Sequence, residues 1–155
     1  MSTMLSGGCQ CGAVRVRASR FGNSSICHCR MCQTAFGGFF GPLVTTLDAE
    51  WTRGEPRHFA SSNKARRGFC GDCGTPLTYE TPDSFDLAIG AFDDPAAVAP
   101  RLQVNPADKL SFFDTLCAVP TSSETSEQKP GFKATLVNNQ HPDHDTPEWP
   151  RRKVP

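Results

Sequence analysis

Seven of the eight cysteines in this chain stand in three tight groups: Cys9-Gln10-Cys11, Cys27-His28-Cys29-Arg30-Met31-Cys32 and Cys70-Gly71-Asp72-Cys73. Thiols this close either crosslink, cycle as redox pairs or hold a metal. Two pairs supply four thiolates, which fill a tetrahedral zinc; a triplet supplies three and leaves one coordination position open. Cys9, Cys11, Cys70 and Cys73 are therefore the candidate ligands of a structural zinc. Cys27, Cys29 and Cys32 are the candidate ligands of a second, catalytic zinc whose fourth position takes water, substrate or another protein donor. Soft thiolate sets select zinc, so the expected content is two zinc ions per chain, the second held more labile.

The rival chemistries fit less well. Neighbours in a Cys-x-Cys do not easily reach unstrained disulfide geometry. Residues 1–8 carry neither a basic n-region nor an apolar h-region, so the chain reads as cytoplasmic, where thiols stay reduced. Cys29-Arg30-Met31-Cys32 and Cys70-Gly71-Asp72-Cys73 have redox spacing, but that chemistry needs a βαβ setting, and long helical patterns are lacking. Buried core cysteines would have no reason to pair at knuckle spacing.

In an extended segment Cys27 and Cys29 point to one side, and a turn into a short helix brings Cys32 round to them. His28, between them, points away and is expected to pack or hydrogen-bond behind the ligands. His58, His141 and His144 have no spacing that recommends them. Cys117 stands alone and is expected to be a buried, quiet thiol.

Lys plus Arg and Asp plus Glu number 16 each, which gives no electrostatic case for nucleic acid or membrane partners. No apolar run approaches the roughly 18 residues of a membrane helix. Seven thiolates around two divalent ions would add about three negative charges. Arg15, Arg17, Arg30, Lys64, Arg66 and Arg67 lie near the groups, either to offset that charge and steer an anionic small molecule or as ordinary surface charge. Arg30, inside the triplet, either meets a substrate carboxylate or lies on a helix surface.

The elements that must position these cysteines are short. A chain of 155 residues makes one domain with a real core, and 13 Gly with 13 Pro favour strands and turns. Apolar alternation predicts strands at 13–18, 25–27, 39–47, 57–60, 65–69, 77–81, 86–92 and 102–104. A two-turn helix is predicted at 30–36, ended by Gly37-Gly38. Asp94-Pro95 opens a single helical turn, and 109–116, with Phe112 and Phe113, is expected to pack. Composition turns polar and Pro-rich from residue 121, so 1–120 reads as the domain and 121–155 as an extended tail. Within the tail, residues 131–137 and Trp149 are the patch able to dock.

The order Gly8-Cys9-Gln10-Cys11-Gly12, then Cys27-His28-Cys29-x-x-Cys32, then Phe69-Cys70-x-x-Cys73-Gly74-Thr75-Pro76-Leu77 resembles the glutathione-dependent formaldehyde-activating enzyme family, which includes centromere protein V-like proteins. The resemblance runs from about residue 5 to 116. It implies a mainly β fold, a β-tent of packed antiparallel sheets with a short helix, built around a structural zinc. It matches Cys9, Cys11, Cys70 and Cys73 to the structural ligands and Cys27, Cys29 and Cys32 to the catalytic ones. The implied activity is that of a carbon–sulfur lyase on a thiol–carbonyl adduct, forming S-(hydroxymethyl)glutathione from formaldehyde and glutathione. The implied partners are therefore a small-molecule thiol and a small aldehyde. The alternative is a non-catalytic zinc module that binds a protein or another partner, with a degenerate triplet.

Overall fold

The computed structural model describes residues 3–121 and 135–148. The fold is mainly β. Its strands are β1 (Leu5–Gly8), β2 (Arg15–Ala18), β3 (Phe21–Cys27), β4 (Gly41–Thr46), β5 (Glu50–Arg53), β6 (Arg57–Ala60), β7 (Arg66–Phe69), β8 (Pro76–Thr81), β9 (Ser84–Ala88) and β10 (Leu102–Val104), and the helix α1 (Arg30–Phe36) lies between β3 and β4. Short 3₁₀ turns cover Ile89–Ala91, Pro95–Val98, Pro106–Asp108 and Phe113–Ala118.

The strands form two sheets. One has the order β1-β2-β5 and the other β10-β3-β4-β9-β8-β7-β6. All pairings are antiparallel except β10 with β3, which is parallel. The long sheet carries both later cysteine groups: β3 runs into Cys27, and β7 runs into the Cys70 turn.

Apolar side chains from both sheets meet in two clusters. Val16 of β2 packs with Val44 of β4 and Leu87 of β9, closed by Ile89, Phe92 and Val98. Cys9 and Cys70 are themselves members of the other cluster, with Val14, Leu77, Ala88 and Ala91. Trp51 of β5 touches both clusters. Leu77 and Leu87 are fully buried, each contributing about 2–3 kcal/mol by removal from water.

The helix bounds and β6 fall where the sequence predicts them. The apolar run at 86–92 bends after Ala88 into a 3₁₀ turn, so the strand ends early. β1 and β5 carry no clear alternation and emerge only in the structure. In 109–116, Phe113 packs edge-on against His28 and Phe40, whereas Phe112 stays exposed and contacts Phe39. Cys117 is exposed rather than buried, because the 3₁₀ turn that carries it has no buried residues.

The described part of the tail is pinned to the body through polar groups. The backbone N–H of His141 donates to the Gln10 carbonyl at 2.7 Å. Asp145 pairs with Arg15 at 3.0 Å and with Arg17 at 2.6 Å. Arg53 donates to the carbonyl and hydroxyl of Thr146. Of the docking patch expected from sequence, 131–134 and Trp149 lie outside the described residues, and Leu136 and Val137 are exposed. Among the described residues no helix is long and apolar enough to cross a membrane.

Candidate metal centres

The first cysteine pair sits in a turn between β1 and β2. The Cys9 N–H donates to the Val14 carbonyl, and the Gly12 N–H returns to the Cys9 carbonyl, both at 3.0 Å. The third group repeats this construction after β7: the Cys70 N–H donates to Thr75 and the Gly74 N–H to Cys70, both at 2.9 Å. Gly12 and Gly74 adopt φ of 74° and 78°, left-handed conformations that a side chain would strain. The Gln10 N–H donates to the Thr75 hydroxyl at 3.0 Å and ties the two turns together.

The structure brings Cys9, Cys11, Cys70 and Cys73 together, with all four sulfurs within 4.8 Å of one another. Cys9 to Cys11 is 3.6 Å and Cys11 to Cys70 is 3.8 Å. A tetrahedral ion with metal–sulfur bonds of about 2.3 Å has sulfur–sulfur edges of about 3.8 Å. The group thus has the dimensions of a four-thiolate metal site. These distances are far beyond a disulfide bond of about 2.05 Å, and all the cysteines are free.

Cys27, Cys29 and Cys32 form the second group, again within 4.8 Å, with 3.5 Å between Cys27 and Cys29. Cys29 caps α1: its sulfur accepts the Cys32 N–H at 3.4 Å. This bond draws the first turn of the helix back over the end of β3 and sets Cys32 beside the other two. The side-chain amide of Gln33, itself buried, holds the segment by donating to the carbonyls of His28 at 2.6 Å and Asp108 at 3.1 Å.

His28 is fully buried and turned away from the three sulfurs. Its Nε2 meets the Gln103 side-chain oxygen at 3.0 Å, and its ring stands edge-on to Phe113. Arg30 is exposed on α1 and donates to Gln33. His58 pairs with the buried Glu80 at 2.8 Å, and His141 lies in the docked tail. Neither joins a cysteine group.

Both groups offer sulfurs that already accept hydrogen bonds, as thiolate ligands do. Val14 N–H donates to Cys9 at 3.3 Å, Asp72 N–H to Cys70 at 3.4 Å, and the Asn105 side chain to Cys27 at 3.5 Å. Their proton affinities diverge. Burial pushes the Cys32 thiol up to about 12, against the pull of Arg67. Burial also raises Cys73, but bonds from Thr75 and Cys11 win and hold it down to about 6. The backbone N–H of Cys32 and its neighbouring thiols likewise outweigh burial at Cys29 and lower it.

The two groups differ most in what lies beside them. The three cysteines form part of the wall of a cavity of about 380 Å³ that opens between β3, β4 and β10. Leu43, Leu102, Val104 and Met31 give it apolar surface; Arg67, Tyr79 and Asp86 give it polar ends. The three sulfurs converge there, one donor short of a tetrahedral set. The cavity beside the four-cysteine group, about 350 Å³, borders a group of four sulfurs, enough to fill a tetrahedral ion.

The family model for the glutathione-dependent formaldehyde-activating enzyme matches residues 4–107. The chain belongs to this family. Its members thus set the frame for the site just described: formaldehyde activation linked to glutathione, at the level of the family. Among curated proteins none matches the chain. A crystal structure of a Rhodobacter sphaeroides protein is similar in fold, with a TM-score of 0.51 at 17% identity, covering 64% of this chain and 99% of that one.

The residue that sequence reading did not single out is Arg67. It appeared there only as one of six basic residues near the cysteines. The alternation of β7 held the signal: Arg66 is exposed, Arg67 is buried at 3% exposure, and Arg67 lies on the face that lines the cavity.

Proposed function

We propose that the protein is a two-zinc carbon–sulfur lyase that interconverts a small aldehyde plus a thiol with their adduct, S-(hydroxymethyl)glutathione being the adduct that the family's activity points to. Three converging sulfurs on a cavity wall, beside a second group already complete at four, carry this reading. Cys9, Cys11, Cys70 and Cys73 would hold the structural ion. Cys27, Cys29 and Cys32 would hold the second and leave a position facing the cavity. Zinc bound there supplies Lewis acidity, which lowers the pKa of an incoming thiol.

The chain's own residues do the rest. In the forward direction a sulfur–carbon bond forms, the carbonyl π pair passes to the aldehyde oxygen, and the proton released by the thiol ends on that oxygen. Nothing is oxidised, so no redox partner is needed. Leu43, Leu102 and Val104 give the cavity an apolar wall beside the sulfurs, a surface suited to a small, uncharged aldehyde. Asp86 accepts from Thr45 at 2.7 Å and from Ser84 at 2.9 Å, which holds this polar group of the cavity lining in place. Reduced thiols suit the cytoplasm. We take residues 1–120 as the catalytic domain, with the tail fastened to its β1–β2 side.

The test is the equilibration rate of formaldehyde with glutathione, followed by NMR exchange spectroscopy with and without protein. Acceleration by the zinc-loaded chain is expected. Equal rates would contradict this activity and leave the non-catalytic binding module.

A further inference from the structure

Arg67 is a buried charge with no carboxylate partner. Its exposure is 3%, and among the described residues no Asp or Glu forms an ion pair with it. Its Nε donates to the Ser61 hydroxyl at 3.0 Å, its guanidinium lies 4.7 Å over the Tyr79 ring, and its Nη2 donates to the Cys32 sulfur at 3.2 Å. Nη1 is buried and has no hydrogen-bond partner among the described residues. Removing a guanidinium from water without an opposing charge is strongly unfavourable. The group it touches that a bound metal would make anionic is the three-cysteine site itself.

The charges then match. Three thiolates around a divalent ion carry one net negative charge, and one guanidinium cancels it. Among the described residues no arginine donates to a sulfur of the four-cysteine site; Arg15, four residues after Cys11 and also buried, is spent on Asp93 and Asp145.

We propose that Arg67 is the positioning residue of the three-cysteine site. Its charge is required for that site to retain a metal ion, and its Nη2 fixes the Cys32 sulfur. The inference rests on the two-site reading above but not on the reaction assigned to it.

The experiment compares wild type, Arg67→Gln and Arg67→Lys, each loaded with Co²⁺ alone. Thiolate-to-cobalt absorption is followed during chelator competition, and Cys29→Ser marks the signal of the four-cysteine site. Arg67→Gln should keep that signal unchanged and bind the second ion at least about tenfold more weakly, one unit in the log of the affinity. Arg67→Lys keeps the charge without the planar fork and should recover most of that loss. Wild-type affinity at both sites in Arg67→Gln would overturn the proposal. So would equal loss at both sites, which marks a general folding role. An Arg67→Lys protein as weak as Arg67→Gln would remove charge as the cause. An inactive wild type that still shows this pattern would sink the lyase reading and leave the role of Arg67 standing.

Discussion

The sulfurs of Cys11 and Cys70 stand 3.8 Å apart although 59 positions separate them in the chain. Their meeting joins the β1–β2 turn to the turn after β7, and so ties the short sheet to the long one beneath the Cys9–Leu77 cluster. An ion held there would reinforce the link already made by the Gln10–Thr75 hydrogen bond between the two turns.

Replacing Cys70 by Ser should therefore cost most of the fold. A structural zinc contributes on the order of 10 kcal/mol, comparable with the whole stability of a domain, about 5–15 kcal/mol. The expected result is loss of one zinc together with the cooperative transition in a circular dichroism melt. An unchanged melt with unchanged zinc would refute the four-ligand assignment.

Cys29→Ser should behave in the opposite way. Ser keeps an acceptor for the Cys32 N–H and remains a good helix cap, so α1 survives, while the soft ligand is gone. Melting within a few degrees of wild type, one zinc fewer and background exchange of formaldehyde with glutathione are expected. If the variant unfolds, the division into structural and reactive cysteines is wrong.

Gly41→Ala disturbs the second site without touching a ligand. A Cβ on Gly41 would lie 2.8 Å from the Cys32 Cβ and 3.0 Å from the Phe36 ring, too close for either to stay in place. Overpacking of this kind costs about 1–3 kcal/mol, much of it spent on displacing Cys32. Chelator competition should show second-site affinity down by about tenfold or more, with the four-cysteine site unaffected. Unaltered affinity at both sites would show that Cys32 is not held by this contact.

Docking of the tail should weaken in acid. Burial, with Arg15 and Arg53 nearby, lowers the pKa of His141. The undocked form then takes a proton that the docked form resists, so docking is complete above about pH 6.5 and weakens as pH falls below it. At Asp145 burial raises the pKa, but Arg17 and Arg15 outweigh it and hold the carboxyl low, so its contribution persists until pH falls below about 3.9. Asp145→Asn should loosen the tail by about 1–2 kcal/mol at neutral pH. Hydrogen-exchange protection of the His141 amide measures both effects; protection that is flat from pH 8 to 5 and unmoved by Asp145→Asn would refute them.

Sequence reading succeeded where the cause is local. Gly37 ends α1 where its N–H returns to the Thr34 carbonyl, and Cys-x-x-Cys-Gly names its own turn. It faltered where the cause is distant. β5 forms because Trp51 fills the space between the two clusters, which no periodicity of four residues announces. The buried state of Arg67 depends on Cys32 and Tyr79 across two other elements. Arg15 finds Asp145 across 130 positions, a pairing of common charges with no local mark. Phe112 and Cys117 looked like core by type, but the turn bearing them lies on the surface.

The most direct test is a crystal structure with anomalous data collected at the zinc edge. The account predicts two peaks per chain: one enclosed by the sulfurs of Cys9, Cys11, Cys70 and Cys73, the other bound by Cys27, Cys29 and Cys32 with its fourth position open to the cavity beside Arg67. A single peak, or a second ion closed by a fourth protein side chain, would contradict it.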